Sequence, residues 1–366
     1  MLISIVLLGI LLLYGVAHGI VFFSLVKFFG ITNLLYKNIL LSVIFFLGLS
    51  FFISSIFGHI KDSLFTRDYY FLSGAWVGFM WNMVLFFVLV WVVVLLGQKL
   101  GFAANQKILA TLAIMAACAY SAYGVWNAFN PKITSLSVAI DDLPEEWVGK
   151  KIVQISDLHL GNIYHADYLT SVVEKINALN PDVVVITGDL FDGSVADLNV
   201  LLKPIDRINA KVFFVTGNHE TFIGLDKVYA AISLTKIIPL RDASKNIGGL
   251  QFVGIDYPLR GNDRDISKII PAMAGWDQFA PSILLIHEPV QIENAKKIGI
   301  SLQLSGHTHR GQLFPFGFIT SLIFKGYDHG FKRDGSFAIY TSSGLGGWGP
   351  PMRTENRSEI VEITLK

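Results

Sequence analysis

The 366-residue chain is 52% hydrophobic and 16% charged, with mean hydropathy +0.53 and a net charge of +1. An ordinary soluble domain carries about 25% charged residues, so this composition excludes disorder and a plain soluble enzyme, and the near-zero net charge gives no electrostatic case for a nucleic-acid partner. The lone cysteine, Cys118, excludes a disulfide framework and a cysteine-based zinc cluster.

The average conceals a division. Residues 1–130 hold six Lys/Arg and two Asp/Glu, a net charge of +4, whereas residues 131–366 hold 23 and 26, a net charge of −3. The first part reads as four transmembrane helices, about Ile3–Val26, Asn38–Phe57, Phe71–Leu96 and Ile108–Phe129. Each approaches or exceeds the roughly 20 residues that cross a bilayer as a helix. Tyr36, Tyr69, Tyr70 and Trp126 lie near span ends, where aromatic anchors belong. The loop cations Lys27, Lys37, Lys99 and Lys107 outnumber Lys61, Arg67 and Lys132 by one, a marginal lean toward an extracytoplasmic C-terminal domain. His18 and Asn82 are the notable polar residues within spans and are expected to hydrogen-bond between helices. Gly74 and Gly78 form a GxxxG pair suited to close helix packing.

After Asn130-Pro131, residues 131–366 alternate strands with helices. Strands are expected at Ile133–Ile140, Lys151–Ser156, Asp182–Thr187, Lys211–Thr216, Leu250–Ile255, Ile283–His287, Ser301–Ser305, Phe337–Ser342 and Glu359–Leu365, with a helix at His165–Ala178. Apolar runs interleaved with helices indicate βαβ units, and the late strands without helices between them a second, partly antiparallel sheet.

In such sheets ligands bind beyond the carboxyl ends of the strands, and the metal-capable residues fall there: Asp157 and His159, Asp189, then Asn218, His219 and Glu220, His287, and last His307 and His309. Oxygen and imidazole donors without thiolate suit Mn, Fe, Zn or Co better than Ca. Glycines before Asp189, Asn218 and His307 allow the backbone to approach the site closely. Two such cations acidify a shared water, so that hydroxide exists near neutral pH, and neutralise phosphate oxygens; a nearby imidazole can protonate the departing alkoxide.

Asp157-x-His159, Gly188-Asp189-x-x-Asp192, Gly217-Asn218-His219-Glu220, His287 and Gly306-His307-x-His309, in that order, resemble the calcineurin-like metallophosphoesterase family. The resemblance covers about residues 132–366. The tail from Ser343-Gly344-Leu345-Gly346 to Arg353 and Glu359-Ile360 is similar to the membrane-associated bacterial branch, which includes phosphodiesterases and UDP-diacylglucosamine pyrophosphatases. The resemblance implies a two-sheet β-sandwich flanked by helices. It implies one metal held by Asp157, His159, Asp189 and His309, and a second by Asp189, Asn218, His287 and His307. It makes His219 the leaving-group acid or a transition-state stabiliser and has Asp192 orient it through a carboxylate–imidazole pair. Gly193 stands where relatives that act on phosphoproteins carry arginine, which disfavours that substrate class.

Arg310 and Arg353 are candidate contacts for a substrate phosphate. The almost wholly apolar Leu313–Phe324 reads either as a lip dipping into the interface, where lipid substrates enter, or as an ordinary core hairpin or helix. The expected activity is hydrolysis of a phosphodiester or pyrophosphate bond, with a lipid-linked or membrane-derived substrate favoured. The alternatives are a phosphodiesterase for soluble phosphoesters or cyclic nucleotides, and a non-catalytic membrane sensor or scaffold.

Overall fold

The computed structural model describes residues 2–194, 196–259 and 264–366 and divides into two compact units. One unit is Met1–Trp126 with Gly349–Met352; the other is Asn127–Trp348 with Arg353–Lys366.

The first unit is built on α1 (Leu2–Phe29), α2 (Leu34–Ile60), α3 (Leu64–Leu100) and α4 (Gln106–Phe129). All four are long and apolar enough to cross a membrane. Each outruns its apolar stretch because polar residues extend it: α3 has 37 residues and takes in Arg67, Asp68 and Lys99. Ser63 opens α3 with a capping box to Thr66, and Gly101, at φ 79°, closes it. Phe45 and Phe46 are 60% and 65% exposed, an outward-facing apolar surface of the kind a helix needs if it is to be solvated by lipid.

The intramembrane polar residues divide. Asn82 Nδ2 donates to Ser121 Oγ at 2.9 Å and ties α3 to α4, as expected. His18 Nδ1 instead bonds the Tyr14 carbonyl of its own helix at 2.8 Å, with its ring packed on Gly48 of α2. The Gly74–Gly78 pair does not meet another helix. A Cβ on Gly78 would fall 2.4 Å from Met352 Sδ, and one on Gly74 would fall 3.1 Å from the Gly349 carbonyl oxygen. The groove accommodates a segment far downstream, Gly349–Met352, a pairing that sequence spacing could not reveal.

In the second unit the strands in chain order are β1 (Lys132–Val138), β2 (Lys151–Ile155), β3 (Val183–Thr187), β4 (Lys211–Val215), β5 (Ile237–Pro239), β6 (Ala243–Ile247), β7 (Leu250–Ile255), β8 (Ser282–Ile286), β9 (Leu302–Ser305), β10 (Gly330–Asp334), β11 (Phe337–Thr341) and β12 (Glu359–Leu365). They form two six-stranded sheets, ordered β1-β12-β2-β3-β4-β5 and β10-β11-β9-β8-β7-β6. Strands β2 to β5 are parallel in the first sheet. Strands β7, β8, β9 and β11 are parallel in the second, with β6 and β10 antiparallel at its edges.

Burial on both faces explains the unbroken apolar runs. Val183, Val185, Phe213, Phe252, Ile283, Leu285, Leu302 and Leu304 meet between the sheets. Val184, Ile186, Val212 and Phe214 point outward onto helices, among them Ala166–Ala178 through Leu169, Val172 and Ile176. A β-sandwich flanked by helices results. The carboxyl ends of β2, β3, β4, β8 and β9 open on the loops that hold the predicted ligands.

Candidate metal centre

Five of the predicted ligands leave their strands in left-handed backbone conformations: Asp157 (φ 52°), His159 (49°), Asp189 (50°), His307 (72°) and His309 (47°). Such non-glycine residues cost on the order of 1–3 kcal/mol each, and they persist where the surroundings over-determine them, commonly at functional sites. The glycines between them admit the crowding. A Cβ on Gly306 would lie 1.9 Å from Ser156 Oγ and 2.3 Å from Asp157 Oδ2; Gly188, at φ 86°, lies against the His287 ring.

The side chains converge in two groups that share the Asp189 region. Asp157, His159 and His309 form one, with donor atoms within 4.8 Å of one another. Asp189, His287 and His307 form the other, and His159, Asp189 and His219 also lie within that distance. His159 Nε2 faces His309 Nε2 at 3.1 Å. Asp189 Oδ2 lies 3.8 Å from His159 Nε2 and 3.3 Å from His287 Nε2. Asn218 Oδ1 lies 3.1 Å from His287 Nε2, and so does His307 Nδ1.

Second partners select the nitrogen that faces inward. His287 Nδ1 donates to the Thr187 carbonyl at 2.8 Å, which leaves Nε2 toward the cluster. His307 Nε2 lies 3.2 Å from Glu288 Oε1, which leaves Nδ1 inward. Glu288 is itself held by the Tyr257 hydroxyl at 3.0 Å. Nothing local marks Glu288 in the sequence, because its imidazole partner lies 19 residues downstream; only the dipeptide His287-Glu288 could have hinted at it. Carboxylates of this kind fix ligand orientation and basicity. Glu288→Gln is therefore expected to weaken divalent-metal affinity about 10- to 100-fold in titration calorimetry, and unchanged affinity would remove Glu288 from the site.

The electrostatics fit cation binding. Burial pushes the Asp157 carboxyl up to about 6, with the Asp189 charge adding to it against His287. Burial and neighbouring His219 bring His159 down to about 3; burial and His287 do the same to His307. His309 is held well below its ordinary range by burial and Arg353. Neutral imidazoles keep their lone pairs for a metal. Asp189 and His287 hold each other charged: burial opposes both, but mutual attraction keeps the carboxyl low and raises the imidazole to about 10. A divalent cation replaces such a proton when it binds. Carboxylate oxygens, an amide oxygen and imidazole nitrogens, convergent and without thiolate, fit a pair of divalent cations.

Glu220, one of the metal-capable residues, anchors the site from behind. Fully buried, it accepts from the amides of Asp189 (3.0 Å), Leu190 (2.9 Å), Phe191 (3.2 Å) and Gly217 (2.6 Å), which locks the loop after β3 to the loop after β4.

Two expectations change. Asp192 does touch His219, but through its main-chain carbonyl, 3.0 Å from His219 Nδ1. Its carboxylate instead accepts from the amides of Asn162 and Ser194, each at 2.7 Å, and so closes the Gly193 turn. Arg353 is fully buried, with its guanidinium on His309 Nδ1 (3.0 Å), Asn356 Oδ1 (2.8 Å) and the Gly346 carbonyl (3.1 Å). Buried there, it braces a candidate ligand and does not reach a substrate. Arg310, the next residue after His309, is exposed and retains access to solvent.

A family model described as calcineurin-like phosphoesterase matches residues 150–311. The chain is 34% identical over 250 residues to an uncharacterized metallophosphoesterase of Helicobacter pylori, covering 66% of each chain. It is 32% identical over 276 residues to a Danio rerio transmembrane protein with metallophosphoesterase domain, covering 70% of this chain and 62% of that one. It is 31% identical over 253 residues to an uncharacterized metallophosphoesterase of Aquifex aeolicus, covering 67% of this chain and 95% of that one. The first two matches span two thirds or less of those relatives' own length; the third spans nearly all of it.

Proposed function

The chain belongs to the calcineurin-like metallophosphoesterase family and carries its metal-dependent hydrolase domain, and on that premise we propose that it is a membrane-anchored enzyme that cleaves a phosphodiester or pyrophosphate bond in a lipid-linked substrate. The observation that carries the hydrolase reading is the place of Asp189 in two donor groups at once, one with His159 and His219 and one with His287 and His307. The four apolar helices and the exposed apolar segment that follows His309 support a lipid-linked substrate.

In this reading Asp157, His159, Asp189 and His309 hold one cation, and Asp189, Asn218, His287 and His307 hold the other. When bound, two divalent cations supply an acidified water and neutralise the oxygens of the phosphate under attack. His219 serves as the leaving-group acid. Its main-chain N–H donates to Asp189 Oδ1 at 2.9 Å, which fixes its place beside the shared carboxylate. Its Nδ1–H donates to the Asp192 carbonyl in either protonation state, so Nε2 is the nitrogen that gains and gives the proton. Arg310 is available to the phosphate as a charge-assisted donor.

The test compares kcat/KM of detergent-solubilised full chain for a lipid phosphodiester or pyrophosphate in mixed micelles with that for bis-p-nitrophenyl phosphate. The lipid is expected to be preferred by at least about tenfold, or about 1.4 kcal/mol of transition-state stabilisation. Equal or lower efficiency on the lipid would favour a soluble phosphoester as substrate.

A further inference from the structure

The chain after the last predicted ligand folds back into a two-turn helix, Phe316–Ile323. One side of it is secured. Gly317 packs against Glu355, where a Cβ would meet Oε1 at 2.5 Å, and Thr320 Oγ1 donates to Asp328 Oδ2 at 3.0 Å. The other side carries Phe318, Ile319, Leu322 and Ile323, which are 72%, 52%, 82% and 64% exposed. Their spacing of i, i+1, i+4 and i+5 places them on one face, and the Phe314 ring extends it, 6.4 Å from that of Phe318. The helix ends beside the metal centre: the Phe324 ring, next after the helix, is 6.0 Å from the ring of His307. Lys325 and Arg310, both exposed, lie one at each end of the segment.

A contiguous apolar patch of this kind on a polar domain marks an interaction site. The helix has eight residues, where a span needs about 20, so it can lie in an interface but cannot cross one. The face has no polar group to set the register of a protein partner, whereas flanking cations suit anionic phosphate headgroups. The same chain carries four helices able to cross a membrane, which brings a bilayer within covalent reach.

We propose that the Phe318–Ile323 face seats in the interfacial layer of the bilayer, with acyl chains against Phe318 and Leu322 and phosphate headgroups against Lys325 and Arg310. The proposal rests on the membrane-anchored reading and is independent of what the enzyme cleaves. A surface seated in this way would deliver lipid headgroups to the metal centre without lifting them fully from the membrane.

The experiment uses the full chain in a Cys118→Ser background, reconstituted into phosphatidylcholine and phosphatidylglycerol vesicles. Single cysteines from Phe318→Cys, Leu322→Cys and, as the aqueous control, Glu293→Cys carry a nitroxide. A far-ultraviolet circular dichroism spectrum and thermal midpoint matching those of the unlabelled chain certify the fold of each labelled variant. Oxygen, which partitions into lipid, is expected to relax the labels at 318 and 322 more than a water-soluble nickel chelate does, with the order reversed at 293. If the chelate reaches 322 as readily as 293, the face is in water and the proposal fails. If both reagents are excluded and the spectra broaden through a second label nearby, a copy of the chain covers the face and the proposal also fails. Depth is read without substrate, so a failure here is distinct from a failure of the lipid-substrate reading, which the kinetic comparison decides.

Discussion

Asp189→Asn is expected to lower phosphoester hydrolysis by at least about a thousandfold, or roughly 4 kcal/mol, and to reduce the divalent metal retained per chain. Asp189 Oδ2 lies between the two donor groups, 3.8 Å from His159 Nε2 and 3.3 Å from His287 Nε2, while Oδ1 accepts from the His219 amide. Asparagine keeps the volume and one acceptor oxygen. It loses the charge that keeps His287 raised and that a second cation would share. Global folding should survive, because Glu220 holds the loop through the Asp189 amide, not its side chain. Metal content by plasma emission and hydrolysis of bis-p-nitrophenyl phosphate check the prediction; full activity in a folded variant would remove Asp189 from the bridging position.

His219→Asn is expected to lower kcat about 10²- to 10⁴-fold on substrates with an alkoxide leaving group. The loss should shrink with p-nitrophenolate, which departs without needing a proton. A merely structural histidine would give the same loss on both substrates, so the leaving-group dependence separates the two roles. Asp192→Asn provides the contrast. The contact to His219 runs through the Asp192 carbonyl, which survives the substitution, and asparagine retains an oxygen for the amides of Asn162 and Ser194. Its effect on kcat should stay within about tenfold, the low end of what outer partners of a metal site contribute. A loss as large as that of His219→Asn would show that the carboxylate takes part directly.

The candidate ligand set is legible because of where it falls. Each group follows a strand buried on both faces, so an apolar run such as Val183–Thr187 announces the element and the polar residues after it announce the open end. The core of the sandwich was readable for the same reason. What escaped depends on distant partners. Strands β5, β6 and β10 are short or polar; β10, Gly-Phe-Lys-Arg-Asp, is an exposed edge strand that exists because β11 offers it a ladder. Glu288 gains its role from His307, and Arg353 from His309, 44 residues upstream. The four apolar helices are legible from hydropathy, but their ends are not, since polar residues continue a helix until a cap such as Gly101 stops it. A carboxylate and a carbonyl of the same residue cannot be told apart in sequence, which is why the Asp192 contact was assigned to the wrong oxygen. The apolar Leu313–Phe324 segment was visible, but only the structure separates its secured side from its exposed one.

Hydrolysis of phosphoesters through a bound pair of divalent cations is tested by titrating chelator-stripped, detergent-solubilised full chain with manganese, following metal bound and hydrolysis of bis-p-nitrophenyl phosphate together. No turnover is expected in the stripped protein, and activity is expected to rise to a plateau with two ions bound per chain. Activity that persists unchanged after stripping, or metal binding without hydrolysis of any phosphoester or pyrophosphate, would contradict the two-cation mechanism.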